Sequence, residues 1–172
     1  MDSRSICEAL DQLQPSPPLH MVDQSDLIDL TMKTLGEAFT QLRPLALPRV
    51  PTTLLSKKSA EYFFHTRQEM FGMGLPDLAV TDDAQHAVRN AKPALNDLAA
   101  ILRESKNKID GGVEGPFVMG AEVSFADFVL AGAWSFLKDL DRQGDLFGAV
   151  MRLHPEFEAH WKACQPWLER ND

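Results

Sequence analysis

Few residues in this chain stand at spacings that chemistry could use. Tyr62 is the only tyrosine, and Arg67 follows five residues later among Phe63, Phe64, Met70 and Phe71. A phenol can donate to a carbonyl or phenolate oxygen, and a guanidinium can hold an anion. Beside phenylalanines and methionines they would form the polar edge of an apolar pocket, with Tyr62 and Arg67 as the catalytic pair and Phe63 and Met70 as its wall. The plain alternative is that Tyr62 meets water while Arg67 buries its stem and pairs with a carboxylate. Phe128 and Trp134 are further candidates for the pocket wall, or else core aromatics.

Ser124 and Asp127 form the sharpest local motif. Their spacing is that of a capping box, in which each side chain satisfies a backbone amide of the other, so the motif is structural. His20, His65, His86, His154 and His160 are scattered. None stands at a spacing from a carboxylate or nucleophile that predicts a dyad, and most are expected at the surface. Cys7 and Cys164 lie near opposite ends with no C-x-x-C spacing. No metal site is expected, a reducing compartment is the natural reading, and Cys7 on an apolar helix side reads as an inert thiol.

Helices must position these groups. The apolar residues Ile6, Ala9, Leu10 and Leu13 predict a short helix over 3–13, and Pro15, Pro17 and Pro18 predict a stiff connector after it. Leu27, Ile28, Thr31, Leu35, Ala38, Phe39 and Leu42 predict a helix over 25–42, followed by a bent apolar link over 45–50. A third helix is expected over 59–71, capped by Ser59 and ended by Gly72 and Gly74. A fourth is expected over 83–106, kinked or broken just before Pro93. A glycine-rich loop over 110–116 and the short apolar run 117–120 precede the helix 125–140. That helix is apolar nearly all round and must therefore be buried. Short helices near 146–153 and 155–168 complete the chain. No strand pattern or repeat is present, so the expected fold is an all-α bundle around the central helix 125–140.

Composition sets outer limits. The 172 residues are 44% hydrophobic and 24% charged, with a formal charge of -8. That is globular composition without the basic stretch that nucleic acid or an anionic membrane would need. No apolar run approaches the ~20 residues that cross a bilayer, and the N-terminus does not read as a secretory signal. A cytoplasmic protein is expected.

Several segments resemble a known family. Gly115-Pro116-Phe117-Val118-Met119-Gly120 with Val123-Ser124-Phe125-Ala126-Asp127-Phe128-Val129-Leu130-Ala131 resembles the C-terminal helical domain of glutathione S-transferases. Ser59-Ala60-Glu61-Tyr62-Phe63 with Thr66-Arg67-Gln68-Glu69-Met70-Phe71-Gly72 is similar to the fungal branch, including etherase-like and biosynthetic members. Asp2-Ser3, Ile6, Leu10-Asp11 and the Pro15–Leu19 run resemble the last helix of the glutathione-binding half and the linker out of it. The resemblance implies a division into 1–19, that helix and linker, and 20–172, the bundle. It also implies glutathione as cofactor, with Asp2 and Ser3 gripping its γ-glutamyl end; by the residues alone these two simply cap the first helix.

The thioredoxin-like half of the family needs roughly 80 residues at ordinary element lengths, and only about 20 precede the first bundle helix. Conventional conjugation by this chain alone is therefore not expected. Two functions stay open. One is an enzyme acting on an apolar aromatic small molecule by isomerisation, elimination or cyclisation in secondary metabolism. The other is a non-catalytic helical module, or a fragment of a full transferase, that pairs with itself through the apolar surface the missing half would cover.

Overall fold

The structure is a computed structural model that describes residues 3–104 and 113–169. Among the described residues no strand forms. The fold is α-helical, and two isolated bridges, Phe117 to Gly120 and Met119 to Glu122, fix the one tight turn of extended chain. Gly115 approaches that turn so closely that a Cβ would meet the Gly120 carbonyl oxygen at 2.2 Å. Only glycine fits there.

Helix α1 spans Ser3–Leu13 and α2 spans Ser25–Ala46. A 3-10 turn, Leu47–Arg49, leads into α3, Val50–Thr53, and then α4, Lys57–Phe71. Two single turns follow, α5 at Leu75–Leu78 and α6 at Asp82–Gln85, before α7, Ala87–Glu104. After the 117–122 turn come α8, Phe125–Leu140, α9, Phe147–Met151, and α10, Pro155–Leu168.

The most extensive packing is between α2 and α7. Ile28, Thr31, Leu35, Ala38 and Leu42 of α2 are buried at spacings of three and four, as are Ala91, Leu95, Leu98 and Leu102 of α7. Helix α8 packs on α2, α9 and α10, and buries Leu130, Trp134, Leu137 and Leu140 completely. The central helix expected over 125–140 is found with those limits, and the all-α bundle forms around it.

Three local expectations are corrected. Helix α2 continues to Ala46 through Pro44, because Ala46 is buried and the chain stays right-handed helical through Leu47 and Val50. Burial there offsets the bond that proline removes. Helix α4 starts two residues earlier than its pattern, with Ser56 as the cap accepting from the Ser59 amide at 3.3 Å. The break in the fourth pattern falls at His86, not before Pro93. Pro93 and Arg89, whose carbonyl it frees, both lie on the exposed side, so water can take the missing bond. Residues 105–106 of that expected helix and 110–112 of the expected loop lie outside the described residues.

The α8–α9 loop is folded by Asp141, whose carboxylate accepts from the Gly144 and Gly148 amides at 2.7 Å each. That loop presents Asp145 to Arg49 in a two-bond pair, at 2.8 and 2.5 Å. Hydrogen bonding to Arg49 holds the Asp145 carboxyl below its ordinary value of 3.8. A carboxyl lowered in the folded state stabilises fully above its unfolded value, and that stabilisation is lost as pH falls through the folded value. Asp145→Asn should cost about 1 kcal/mol at pH 7, kept small by the exposure of the carboxylate. The gap between the two proteins in urea unfolding should close on acidification below 3.8; a gap that persists there would remove the pair as its cause.

Candidate functional site

Helix α4 has no buried residue. Its apolar side chains therefore add little to the core and are available to something else. Phe63, Arg67 and Met70 fall at i, i+4 and i+7 on one stripe, with Tyr62 on its flank. Tyr62 is 72% exposed and Met70 61%, while Phe63 leans on the core. The Arg67 guanidinium lies over the Phe63 ring, 4.6 Å from its centroid. Among the described residues it has no carboxylate partner, so the expected ion pair is replaced by a cation–π contact. The ring holds the guanidinium in place, and none of its donors is spent on a hydrogen bond to the described residues. Gly72, with φ of 66°, ends the helix in the left-handed conformation.

The other candidates lie elsewhere. Phe128 of α8 is 36% exposed and meets Trp167 of α10, which also contacts Phe117, each at 5.7 Å between centroids. Trp134 is wholly buried, 5.2 Å from Phe157. It lines no open surface and acts within the core. Ser3 opens α1, and Asp2 lies outside the described residues. A concavity of about 470 Å³ runs between the N-terminal half of α2 and the C-terminal half of α7, over Leu27, Leu30 and Ile101. Phe63, Arg67 and Met70 thus share one stripe of α4, Tyr62 stands about 100° round the helix from Phe63, and Phe128 and Trp134 are not brought to them.

A second polar constellation is fully buried. The capping box forms, with the Ser124 amide donating to Asp127 Oδ2 at 2.7 Å and the Ser124 hydroxyl reaching the same oxygen. Asp127 Oδ1 accepts from the Val118 amide at 2.8 Å and meets His160 Nε2 at 3.1 Å. On the far side of that ring, Trp134 Nε1 lies 3.2 Å from His160 Nδ1. Indole nitrogen only donates, so Nδ1 accepts and Nε2 carries the proton to Asp127. Cys164 sits 3.7 Å from the ring, and burial, with a smaller push from Asp127, raises its thiol to about 12. Such a thiol is no nucleophile. Among the described residues no group of three His, Cys, Asp or Glu could hold a metal ion. No helix of the described residues is long and apolar enough to cross a membrane.

Residues 31–167, from within α2 to within α10, match the family described as glutathione S-transferase, C-terminal domain. The chain belongs to the glutathione S-transferase family. It is 30% identical over 175 residues to a glutathione S-transferase-like protein, ustS, of Aspergillus flavus, covering 98% of this chain and 61% of that protein. Its fold is similar to the crystal structure of a glutathione S-transferase of Ceriporiopsis subvermispora in complex with glutathione, at a TM-score of 0.72 and 18% identity. That match covers 97% of this chain and 64% of the other. The chain thus spans about three fifths of the length of these relatives.

Within this member of the family, the sequence reading missed His160, which is fully buried and not at the surface. The signal was there: His160 lies three residues after Phe157 and four before Cys164, on the apolar stripe of α10. A polar side chain on such a stripe needs a partner from another element. Asp127→Ala would strand the Val118, Ser124 and His160 donors together, and should cost about 3–5 kcal/mol. In a chain of this size that is a fall of roughly 10 °C or more in Tm. Trp134→Phe leaves a small cavity in place of the larger indole and strands only His160 Nδ1, and should cost about 1–3 kcal/mol. Calorimetry that ranks the two equally would contradict this geometry.

Proposed function

We propose that this chain is the part of a glutathione S-transferase-like protein that binds an apolar aromatic small molecule carrying an acceptor or anionic oxygen, and acts on it at the α4 face. The observation that carries the reading is the combination on α4 of no buried residue with exposed Tyr62, Met70 and Phe64 and an Arg67 free of carboxylates among the described residues. Phe63 and Met70 would grip the ring system. Arg67 would hold developing negative charge, and Tyr62 would donate to the oxygen. Isomerisation, elimination or cyclisation of a secondary metabolite needs no more than such positioning and proton handling. Asp2 and Ser3 are proposed as this chain's contribution to holding glutathione; the sheet that would hold the rest of the tripeptide is not among the described residues.

A second reading is favoured by α1. Ile6, Leu10 and Leu13 are 44%, 54% and 82% exposed on one side of that helix. Such a stripe suits cover by another protein surface, and we propose a second copy of the chain. The bundle would then serve as an assembly module.

The probe 1-anilinonaphthalene-8-sulfonate has the proposed ligand's chemistry, an aromatic body with an anionic oxygen group. It should bind saturably, and Arg67→Met should weaken it about five- to tenfold by loss of one charge-assisted contact. Tyr62→Phe should cost about two- to fivefold for ligands with an acceptor oxygen. Unchanged affinity in both variants would sink the α4 assignment. By light scattering the chain should be a dimer or larger at micromolar concentration, and Leu10→Glu should shift it to monomer. A monomeric mass for the unmodified chain would end the second reading.

A further inference from the structure

His20 stands where the connector after α1 turns through the left-handed region, with φ of 58°. That conformation suits glycine or asparagine, and another side chain holds it when its surroundings impose it. Here the surroundings are the exit from the proline connector. The Leu19 amide donates to Asp11 Oδ1 of α1 at 2.8 Å. The Leu19 carbonyl accepts from the Phe125 amide of α8 at 3.1 Å, and Met21 is buried. These contacts join α1, the connector and the start of the central helix, with His20 between them.

The His20 ring is clamped by two carboxylates from different parts of the chain. Its Nδ1 lies 2.9 Å from Asp23 Oδ2 and donates there, because a carboxylate only accepts. Its Nε2 faces Glu122 Oε2 of the 117–122 turn at 3.4 Å. That nitrogen is shut off from water and completes no hydrogen bond. A neutral ring with its proton on Nδ1 presents a lone pair at Nε2, here toward a negative charge. A second proton turns that repulsion into a pair. Hydrogen bonding to His20 holds the Asp23 carboxyl below its ordinary value of 3.8, so Asp23 keeps its charge where histidines titrate. The other acids of the junction are occupied, Asp11 by the Leu19 amide and Asp127 by the Val118, Ser124 and His160 donors.

We infer that His20 is a proton-operated latch on the connector. With both ring nitrogens protonated it ties the connector to the 117–122 turn through Asp23 and Glu122, and loss of a proton frees the connector and α1 from that turn. The sign follows from linkage: the docked connector binds a proton that the released one holds less well. Docking therefore strengthens as pH falls through the usual range of imidazole, about 8 to 5, and weakens as it rises. Glu122 is 73% exposed, so the pair is modest and the change is a few-fold one. The latch sets how firmly α1 is placed, and it rests on neither the α4 reading nor the α1 reading given above.

Hydrogen exchange followed by NMR on the full chain, at about pH 5 and pH 8 and corrected for intrinsic rates, tests the latch. The reporters are the Leu19 and Phe125 amides, whose bonds hold the connector, with the Leu98 amide of α7 as the reference for global opening. Protection of both reporters relative to Leu98 should rise about threefold from pH 8 to pH 5. Glu122→Gln, an exposed change of matched shape, should abolish the rise. His20→Asn should do the same, because asparagine tolerates the left-handed backbone and takes no charge. A rise below about 1.5-fold in the unmodified chain, or one that survives either substitution, would overturn the latch.

Discussion

Asp127 is a carboxylate with no exposure to water, and the rest of the fold is arranged around keeping it satisfied. A charge in that position is tolerable only when donors surround it. They come from three places: the amide of Val118 in the 117–120 turn, the Ser124 amide and hydroxyl at the start of α8, and His160 on α10. One side chain therefore sets where the turn lies, where the central helix begins and how the last helix docks. Through His160 the same constraint reaches Trp134, about two turns after Asp127 along α8. The negative charge also sits at the N-terminal end of α8, where the helix dipole favours it.

The sequence disclosed one half of this arrangement and concealed the other, for a physical reason. Ser124 and Asp127 interact within one turn, so their spacing alone announces the capping box. His160 is 33 residues away from Asp127, and only the docking of α10 brings them together. Local pattern could say that His160 shared a stripe with Phe157 and Cys164, not which carboxylate would meet it. Helix α4 failed in the opposite sense. Its phenylalanines and methionine read as an apolar side, yet burial depends on whether another element covers that side, and among the described residues none does so fully. The same limit applies to Arg67: its place among aromatics was legible, its choice of a ring over a carboxylate was not.

The likeness to a solved transferase at 18% identity fits what a bundle core demands. Cores accept extensive substitution when volume and pattern are kept. Buried positions on α2, α7 and α8 follow that rule with alanine, leucine, isoleucine and tryptophan. A shared fold does not carry chemistry with it. The chemistry must be read from residues that the core does not use, and the ones proposed for it are Tyr62 and Arg67 on α4.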